Sequence, residues 1–232
     1  QARDLLSDLL AAGPGLEAVW EGLDQVGVVE RWLPEWTAVR CRPQHNPVHR
    51  HTVDRHLLET VARAAALARD VARPDLLLLA ALLHDIGKIA GARDHSRTGA
   101  DLADGVLRRW GLAEEDREVV VLLVREHLTL IEMATRRDLS DPATAAAVGD
   151  LVGQDAQTFE LLRALTVADA RAAGPAAWTD WRASLLDTLT GQVRARLTGV
   201  APPVPPLAPA PRVDDEAIGD VAAGRPHVRV EP

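Results

Sequence analysis

Eight consecutive apolar residues, Leu76–Leu83, constrain the fold more than any other stretch of this chain. Pro74 stands just before them, and proline is tolerated in the first turn of a helix because the N–H that it lacks has no partner there. A helix that is apolar on every side must be covered on every side. The sequence therefore predicts a helix at the centre of the fold, and this helix ends at His84-Asp85.

Helical spacing of apolar residues runs through most of the remaining chain, whereas the period-two alternation of strands is almost absent. Asp94 or Ser96 is the predicted cap of the helix that follows the central one. The fold class predicted from this pattern is all-α, a helical bundle. The other helices are predicted at residues 2–12, 15–26, 52–71, 94–110, 114–130, 157–172 and 176–198, with a further one starting at Asp141-Pro142.

Composition excludes several classes of protein. The net charge of −8 argues against a DNA-binding module. No apolar run reaches the roughly 20 residues that span a bilayer, and no signal-peptide pattern opens the chain. The single cysteine, Cys41, cannot form an internal disulfide, so we expect a cytoplasmic protein. We also expect the chain to be a piece of a longer protein, since it starts at Gln1 rather than at Met.

Titratable residues end the apolar stripes of several predicted helices. Seven of the eight histidines lie between His45 and His127. His56, His84, His127 and Asp169 each continue an apolar stripe, on four separate helices. Burying such groups without partners is costly, so they should face one another or a cation. Imidazoles and carboxylates that converge between helices predict a divalent-metal site.

Each of these residues has an ordinary alternative. A single histidine on an apolar face is more often a hydrogen-bonded core residue than a metal ligand, and Asp169 could pair with Arg163 or Arg171. Lys88 is the only lysine in the chain, which otherwise uses arginine. It is either a chance lysine or a compact donor in a tight site. The conjunction of His84-Asp85 and Lys88 with histidines before and after it favours the metal site.

The order His56, His84-Asp85, Asp169 resembles the HD superfamily of metal-dependent phosphohydrolases, which are all-helical. His95 and His127 resemble the extra histidines of members with two metal ions. Between about residues 40 and 190 the chain is similar to the HD domain of bifunctional PII uridylyltransferase/uridylyl-removing enzymes. The segments that carry this likeness are 48–61, 76–88, 94–100, 125–128, 136–142 and 165–186. One departure from the family is that this chain has no tyrosine near His49.

This resemblance implies an activity and a domain organisation. The activity is removal of a nucleotidyl group, UMP or AMP, from a tyrosine of the PII signalling protein. In such enzymes a nucleotidyltransferase domain precedes the HD domain and ACT domains follow it. We accordingly expect a helical segment at 1–39 that packs on the HD domain, the HD domain at 40–199, and at 200–232 a Pro/Ala-rich linker with the start of an ACT domain.

The resemblance also assigns roles to residues. His56, His84, Asp85 and Asp169 would bind one metal ion, and Asp85, His95 and His127 a second, so that Asp85 is shared. Mixed nitrogen and oxygen ligands suit Mn, Fe or Zn, and by resemblance we expect two manganese ions. Lys88 would donate to a phosphoryl oxygen. His49 is the predicted general acid, with an ordinary loop residue as the alternative. Arg50, Arg136 and Arg137 are predicted to contact the nucleotide phosphate or the partner protein.

Two other functions stay open at this point. An HD enzyme of this kind could hydrolyse free nucleotides. Alternatively, the domain could be a non-catalytic regulatory module that binds nucleotide or PII. The complete set of predicted ligands together with Lys88 favours an enzyme, because a module that only binds gains nothing from two metal sites.

Overall fold

The computed structural model describes residues 2–44 and 50–200, which form helices and connecting turns without a strand. The all-α prediction is therefore confirmed. No helix within these ranges has both the length and the apolarity to cross a membrane. The α-helices are Ala2–Leu10 (α1), Leu16–Gln25 (α2), Val28–Trp32 (α3), Val53–Ala66 (α4), Pro74–Leu83 (α5), His95–Arg109 (α6), Glu114–Arg125 (α7), Thr129–Arg136 (α8), Pro142–Leu151 (α9), Ala156–Ala173 (α10) and Asp180–Thr198 (α11), and short 3-10 helices cover Gly13–Gly15, Pro34–Ala38 and Ala68–Asp70.

Helix α5 lies at the centre of the fold, as its apolar sequence predicts. All eight residues from Leu76 to Leu83 are buried, and none is more than 5% exposed. Helices α4, α7 and α10 pack around it. These are the helices on which, or just beyond which, His56, His127 and Asp169 lie. The burial of one apolar helix thus brings the predicted metal ligands to its carboxyl end.

The prediction of a single helix over residues 114–130 is wrong. Helix α7 ends at Arg125 and α8 begins at Thr129, with His127 in the turn between them. The Nδ1 atom of His127 lies 2.7 Å from the carbonyl oxygen of Val124, one of the carbonyls left without a helical partner at a helix end. The apolar pattern continues across this break because Val124 and Leu130 are both buried.

Other helix ends agree with the sequence or differ by a few residues. Asp94 is the cap of α6, since its side chain accepts from the backbone N–H groups of Ser96 and Arg97. Helix α4 stops at Ala66 and gives way to a 3-10 turn, short of the predicted end at 71. Helix α11 starts at Asp180 rather than at 176, with the side chain of Thr179 as its cap. Helix α3 was not predicted.

Tryptophans connect the first helices of the chain to α6. The rings of Trp20 and Trp32 lie 5.4 Å apart, those of Trp20 and Trp36 5.0 Å, and those of Trp32 and Trp110 5.1 Å. The indole N–H of Trp110 donates to the carbonyl of Trp32 at 3.0 Å. Helix α1 also contacts α4 and α5. The segment before residue 40 therefore packs on the helices that carry the histidines, while the domain boundaries themselves stay a prediction.

Candidate metal centre

Six predicted ligands come together at the carboxyl end of α5. His84 and Asp85 directly follow this helix, and both are buried. His56 comes from the first turn of α4, and Asp169 from the last turns of α10. His95 is the first residue of α6, and His127 occupies the turn between α7 and α8. Elements far apart in sequence thus supply one cluster, as the sequence predicts.

A glycine permits α6 to begin close to Asp85. A Cβ atom on Gly87 would lie within 2.7 Å of the Cα atom of Gly99, and closer still to the carbonyl oxygen of His95. Real Cβ atoms do not approach other atoms so closely. The close approach of these two backbones therefore needs a residue without a side chain. The contact between the backbones at Gly87 and Gly99 places His95, the first residue of α6, in the cluster.

One half of the cluster consists of His56, His84, Asp85 and Asp169. The Nε2 atom of His56 is 2.9 Å from Oδ1 of Asp169, 3.2 Å from Nε2 of His84 and 3.5 Å from Oδ2 of Asp85. The Nε2 atom of His84 is 3.5 Å from the same two carboxylate oxygens. Asp169 thus pairs with His56. The sequence alternatives Arg163 and Arg171 instead contact Glu160 and the ring of Trp178.

The other half contains His95 and His127 and shares Asp85 with the first. Oδ1 of Asp85 is 3.6 Å from Nε2 of His95 and 3.5 Å from Nε2 of His127. The two oxygens of one carboxylate therefore face two different pairs of imidazoles. His56, His84 and Asp85 form one group that can hold a metal ion, and Asp85, His95 and His127 form another.

Backbone carbonyls fix which nitrogen of two imidazoles faces the cluster. Nδ1 of His84 lies 2.9 Å from the carbonyl oxygen of Ala81, and Nδ1 of His127 makes the contact with Val124 described above. A carbonyl only accepts, so Nδ1 is the donor in both rings. In the neutral rings the lone pair of Nε2 is then directed at the cluster, which is the arrangement of histidines that bind metal ions.

Two buried atoms of the cluster have no hydrogen-bond partner within the described part of the chain. They are Oδ1 of Asp85 and Nε2 of His95, which lie next to each other. Buried polar atoms are nearly always satisfied, so this pair of atoms is suited to binding a ligand. A divalent cation accepts lone pairs from both atoms. The residues present therefore fit a metal ion.

The charges of the cluster are those of ionised acids among imidazoles. Burial raises the pKa of Asp85, but His84, His127 and Lys88 outweigh this effect and hold the pKa well below its usual value. Burial likewise raises the pKa of Asp169, and His84 and His56 hold it well below the usual value. Burial lowers the pKa of His95, which favours its neutral form. Both carboxylates are thus available to a cation.

A cavity of about 600 Å³ opens onto this cluster. Lys88 lines it, with Nζ 2.6 Å from Oδ2 of Asp85 and 2.7 Å from Oε1 of Gln44. Arg42 and Gln44 line the cavity as well, although no sequence pattern singles them out. They belong to an irregular segment before α4, where no periodicity indicates which side chains face inward. Val53, Ile89 and Leu128 add apolar surface.

The remaining predicted contacts lie elsewhere. Arg50, Arg136 and Arg137 are exposed, and none of them is among the residues that line the cavity within the described ranges. Arg136 pairs with Glu132 on the surface of α8, at 3.8 Å. His49 falls outside the described residues, as do the predicted Pro/Ala-rich linker and ACT start after residue 200. Their predicted roles therefore stay predictions.

A comparison with known protein families identifies the family of this chain. A family model described as the HD domain matches residues 53–174, a span that includes all six clustered residues. The chain belongs to the HD-domain family. HD domains are metal-dependent, and this one has a histidine and aspartate cluster that can bind metal.

This HD domain is also similar to part of several longer proteins. It is 52% identical over 218 residues to a bifunctional uridylyltransferase/uridylyl-removing enzyme of Streptomyces coelicolor, which covers 94% of this chain and 26% of that protein. The enzyme of the same name from Mycobacterium tuberculosis is 49% identical over 210 residues, 90% of this chain and 26% of the relative. The predicted resemblance is thus confirmed. The chain spans about a quarter of the length of these relatives.

Proposed function

We propose that this HD domain is a metal-dependent phosphodiesterase that removes a nucleotidyl group, UMP or AMP, from a tyrosine of the PII protein. The observation that carries the proposal is the position of Asp85, whose two oxygens face two separate pairs of histidines at the floor of an open cavity. The similarity to enzymes named uridylyl-removing supports the choice of reaction.

The same six residues would hold two metal ions. His56, His84, Asp85 and Asp169 form the first set of ligands, and Asp85, His95 and His127 form the second. The mixture of nitrogen and oxygen ligands suits Mn, Fe or Zn, and manganese is our choice. When bound, two such ions supply an activated water at neutral pH and neutralise charge on the phosphoryl oxygens.

Cations of the chain itself would complete the site. The ammonium group of Lys88 has three donors, of which Asp85 and Gln44 occupy two, so one is left for a phosphoryl oxygen. Arg42 adds a second positive charge to the same cavity. A tyrosine leaving group has a pKa of about 10, so it needs less help from a general acid than an aliphatic alcohol does. His49 stays the candidate for that role.

Several features of the whole protein follow from the same proposal. PII would be the substrate and free UMP or AMP the product. A nucleotidyltransferase domain and ACT domains would be neighbours of this HD domain in the full-length chain. A cytoplasmic setting agrees with the single free cysteine, Cys41, which is exposed.

The test combines metal analysis with nucleotide release. The purified chain, loaded with manganese, is expected to bind more than one metal ion and to release UMP or AMP from modified PII. The double substitution His84→Ala, Asp85→Ala is expected to abolish both. A fully loaded metal site in this variant would overturn the ligand assignment. Turnover of free nucleotides alone would indicate the second type of HD enzyme, and metal binding without any turnover would indicate a regulatory module.

A further inference from the structure

We propose that Gln44 is a positioning residue, which holds the ammonium group of Lys88 in place for the phosphoryl group. This inference rests on the proposed function, since it concerns the residue that would contact the substrate. Gln44 comes from the segment before α4, whereas Lys88 follows α5. Their side chains meet at the wall of the cavity, with Oε1 of Gln44 accepting from Nζ of Lys88 at 2.7 Å.

Lys88 does not by itself fix the direction of its ammonium group. A lysine side chain is flexible, and its ammonium group behaves as a point charge without a preferred direction. Within the described residues, Asp85 and Gln44 are its two acceptors. Without Gln44, Lys88 would keep one acceptor among the described residues. That acceptor is the carboxylate of Asp85, which both sets of metal ligands share. The ammonium group could then turn about its contact with Asp85, so its other donors would no longer point to one place in the cavity.

Two hydrogen bonds fix the orientation of the Gln44 amide. Its Nε2 atom donates to the backbone carbonyl of His51 at 3.3 Å. The reverse orientation would set an NH₂ group against an ammonium group and a carbonyl oxygen against another carbonyl oxygen, so it is unfavourable at both ends. Gln44 therefore presents an acceptor, and only an acceptor, to Lys88.

A backbone hydrogen bond next to Gln44 connects its segment to α4. The backbone N–H of Val53 donates to the carbonyl of Arg42 at 2.9 Å, which ties the chain on one side of Gln44 to the first residue of α4. Helix α4 also carries His56. Gln44, Lys88 and a metal ligand are consequently held on one framework, as expected of residues that support a catalytic group.

The experiment is a double-mutant cycle on the manganese-loaded chain, with nucleotide release from modified PII as the assay. Gln44→Met removes the acceptor at similar length. It is expected to lower kcat about 10- to 100-fold, the usual effect of losing such a supporting residue, with little change in KM and unchanged metal content. Gln44→Glu keeps an acceptor for Lys88 and is expected to retain more of kcat than Gln44→Met.

The decisive comparison uses Lys88→Met. If Gln44 acts through Lys88, then Gln44→Met lowers kcat no further in the Lys88→Met background, because the group that it positions is gone. Two losses that multiply would overturn the proposal. Gln192 offers a matched control, since its amide also donates to a backbone carbonyl, that of Leu139 at 2.6 Å. Gln192→Met is expected to leave kcat unchanged.

Failure of the proposed function is distinguishable from failure of this inference. If the metal-loaded wild type releases no nucleotide, the proposed function fails. The same cycle is then measured as the affinity for UMP by calorimetry. Non-additive losses of affinity at Gln44 and Lys88 would support the positioning role, and additive losses would end it.

Discussion

The Nε2 atoms of His56 and His84 face each other at 3.2 Å, and both side chains are almost completely buried. The proton of His84 is on Nδ1 when the ring is neutral, since that atom bonds to the carbonyl of Ala81. Two ring nitrogens at this distance need a positive centre between them, a proton or a metal ion. The carboxylates of Asp85 and Asp169 next to them favour the same positive charge.

Metal binding should therefore stabilise the fold. Because a ligand that binds only the folded state adds RT ln(1 + [L]/Kd), manganese at 100 times its Kd should raise the free energy of unfolding by about 2.7 kcal/mol. Thermal melting with and without manganese measures this effect. The His84→Ala, Asp85→Ala variant serves as the control, and an equal response in that variant would contradict the assignment of the ligands.

The substitution Gly87→Ala should damage both the fold and the second set of ligands. The new methyl group collides with the backbone of His95 and Gly99, so α6 must move away from Asp85. We expect a loss of at least about 1–3 kcal/mol in the free energy of unfolding, as for other overpacked sites, together with weaker metal binding.

Gly22→Ala is the matched control for this prediction. Gly22 lies in α2 with nothing within 4 Å of an added Cβ atom. There the substitution should stabilise the protein by up to about 1 kcal/mol, because alanine is the better helix former. Urea unfolding compares the two variants, and equal stabilities would argue against a close approach at Gly87.

Arg42→Ala should weaken substrate binding more than it slows the reaction. Its charge faces the cavity without belonging to either set of metal ligands. Loss of a hydrogen bond to a charged group is worth about 1.5–3 kcal/mol, so KM should rise about tenfold or more. Steady-state kinetics on modified PII measures this. Arg63→Ala removes an exposed arginine of α4 that pairs with Glu59, and it should leave KM unchanged.

Asp155 should support α10 in a pH-dependent way. Its side chain accepts from the backbone N–H and the hydroxyl of Thr158, at 2.8 and 2.7 Å. Burial raises the pKa of Asp155, but these hydrogen bonds outweigh it and the pKa is lowered. The unfolded pKa of an aspartate is about 3.9. Because the folded pKa is lower, the stabilisation is present above the unfolded pKa and is lost as the pH falls through the folded pKa.

Asp155→Ala should therefore cost about 1 kcal/mol at neutral pH, the usual value of a helix cap. The difference from wild type should shrink as the pH falls below about 4. Unfolding of the metal-free protein by urea between neutral and acid pH measures it. Asp155→Ser keeps a cap without a charge, so a pH-dependent difference between the serine and alanine variants would contradict this account.

The sequence predicts those parts of the site that periodicity controls. The apolar run Leu76–Leu83 predicts a central helix, and His56 and Asp169 continue apolar stripes that are expected to face it. His84-Asp85 then follows at its end. The family likeness adds His95, whose position depends on the contact between Gly87 and Gly99 rather than on any stripe.

The parts that the sequence does not predict depend on irregular backbone. The break before α8 is invisible because buried residues continue on both sides of it. Arg42 and Gln44 reach the cavity from a segment without helical spacing, and Gln44 contacts the distant Lys88. Conversely, Arg136 and Arg137 fit a motif-based expectation, yet they lie on an exposed helix end.

Helix α6 is a rod of 15 residues, about 22 Å long at 1.5 Å per residue. His95 is its first residue, and Trp110, just beyond its last, is bonded to Trp32 of the N-terminal helices. A shift of those helices would therefore move the helix to which a predicted ligand of the second metal ion belongs.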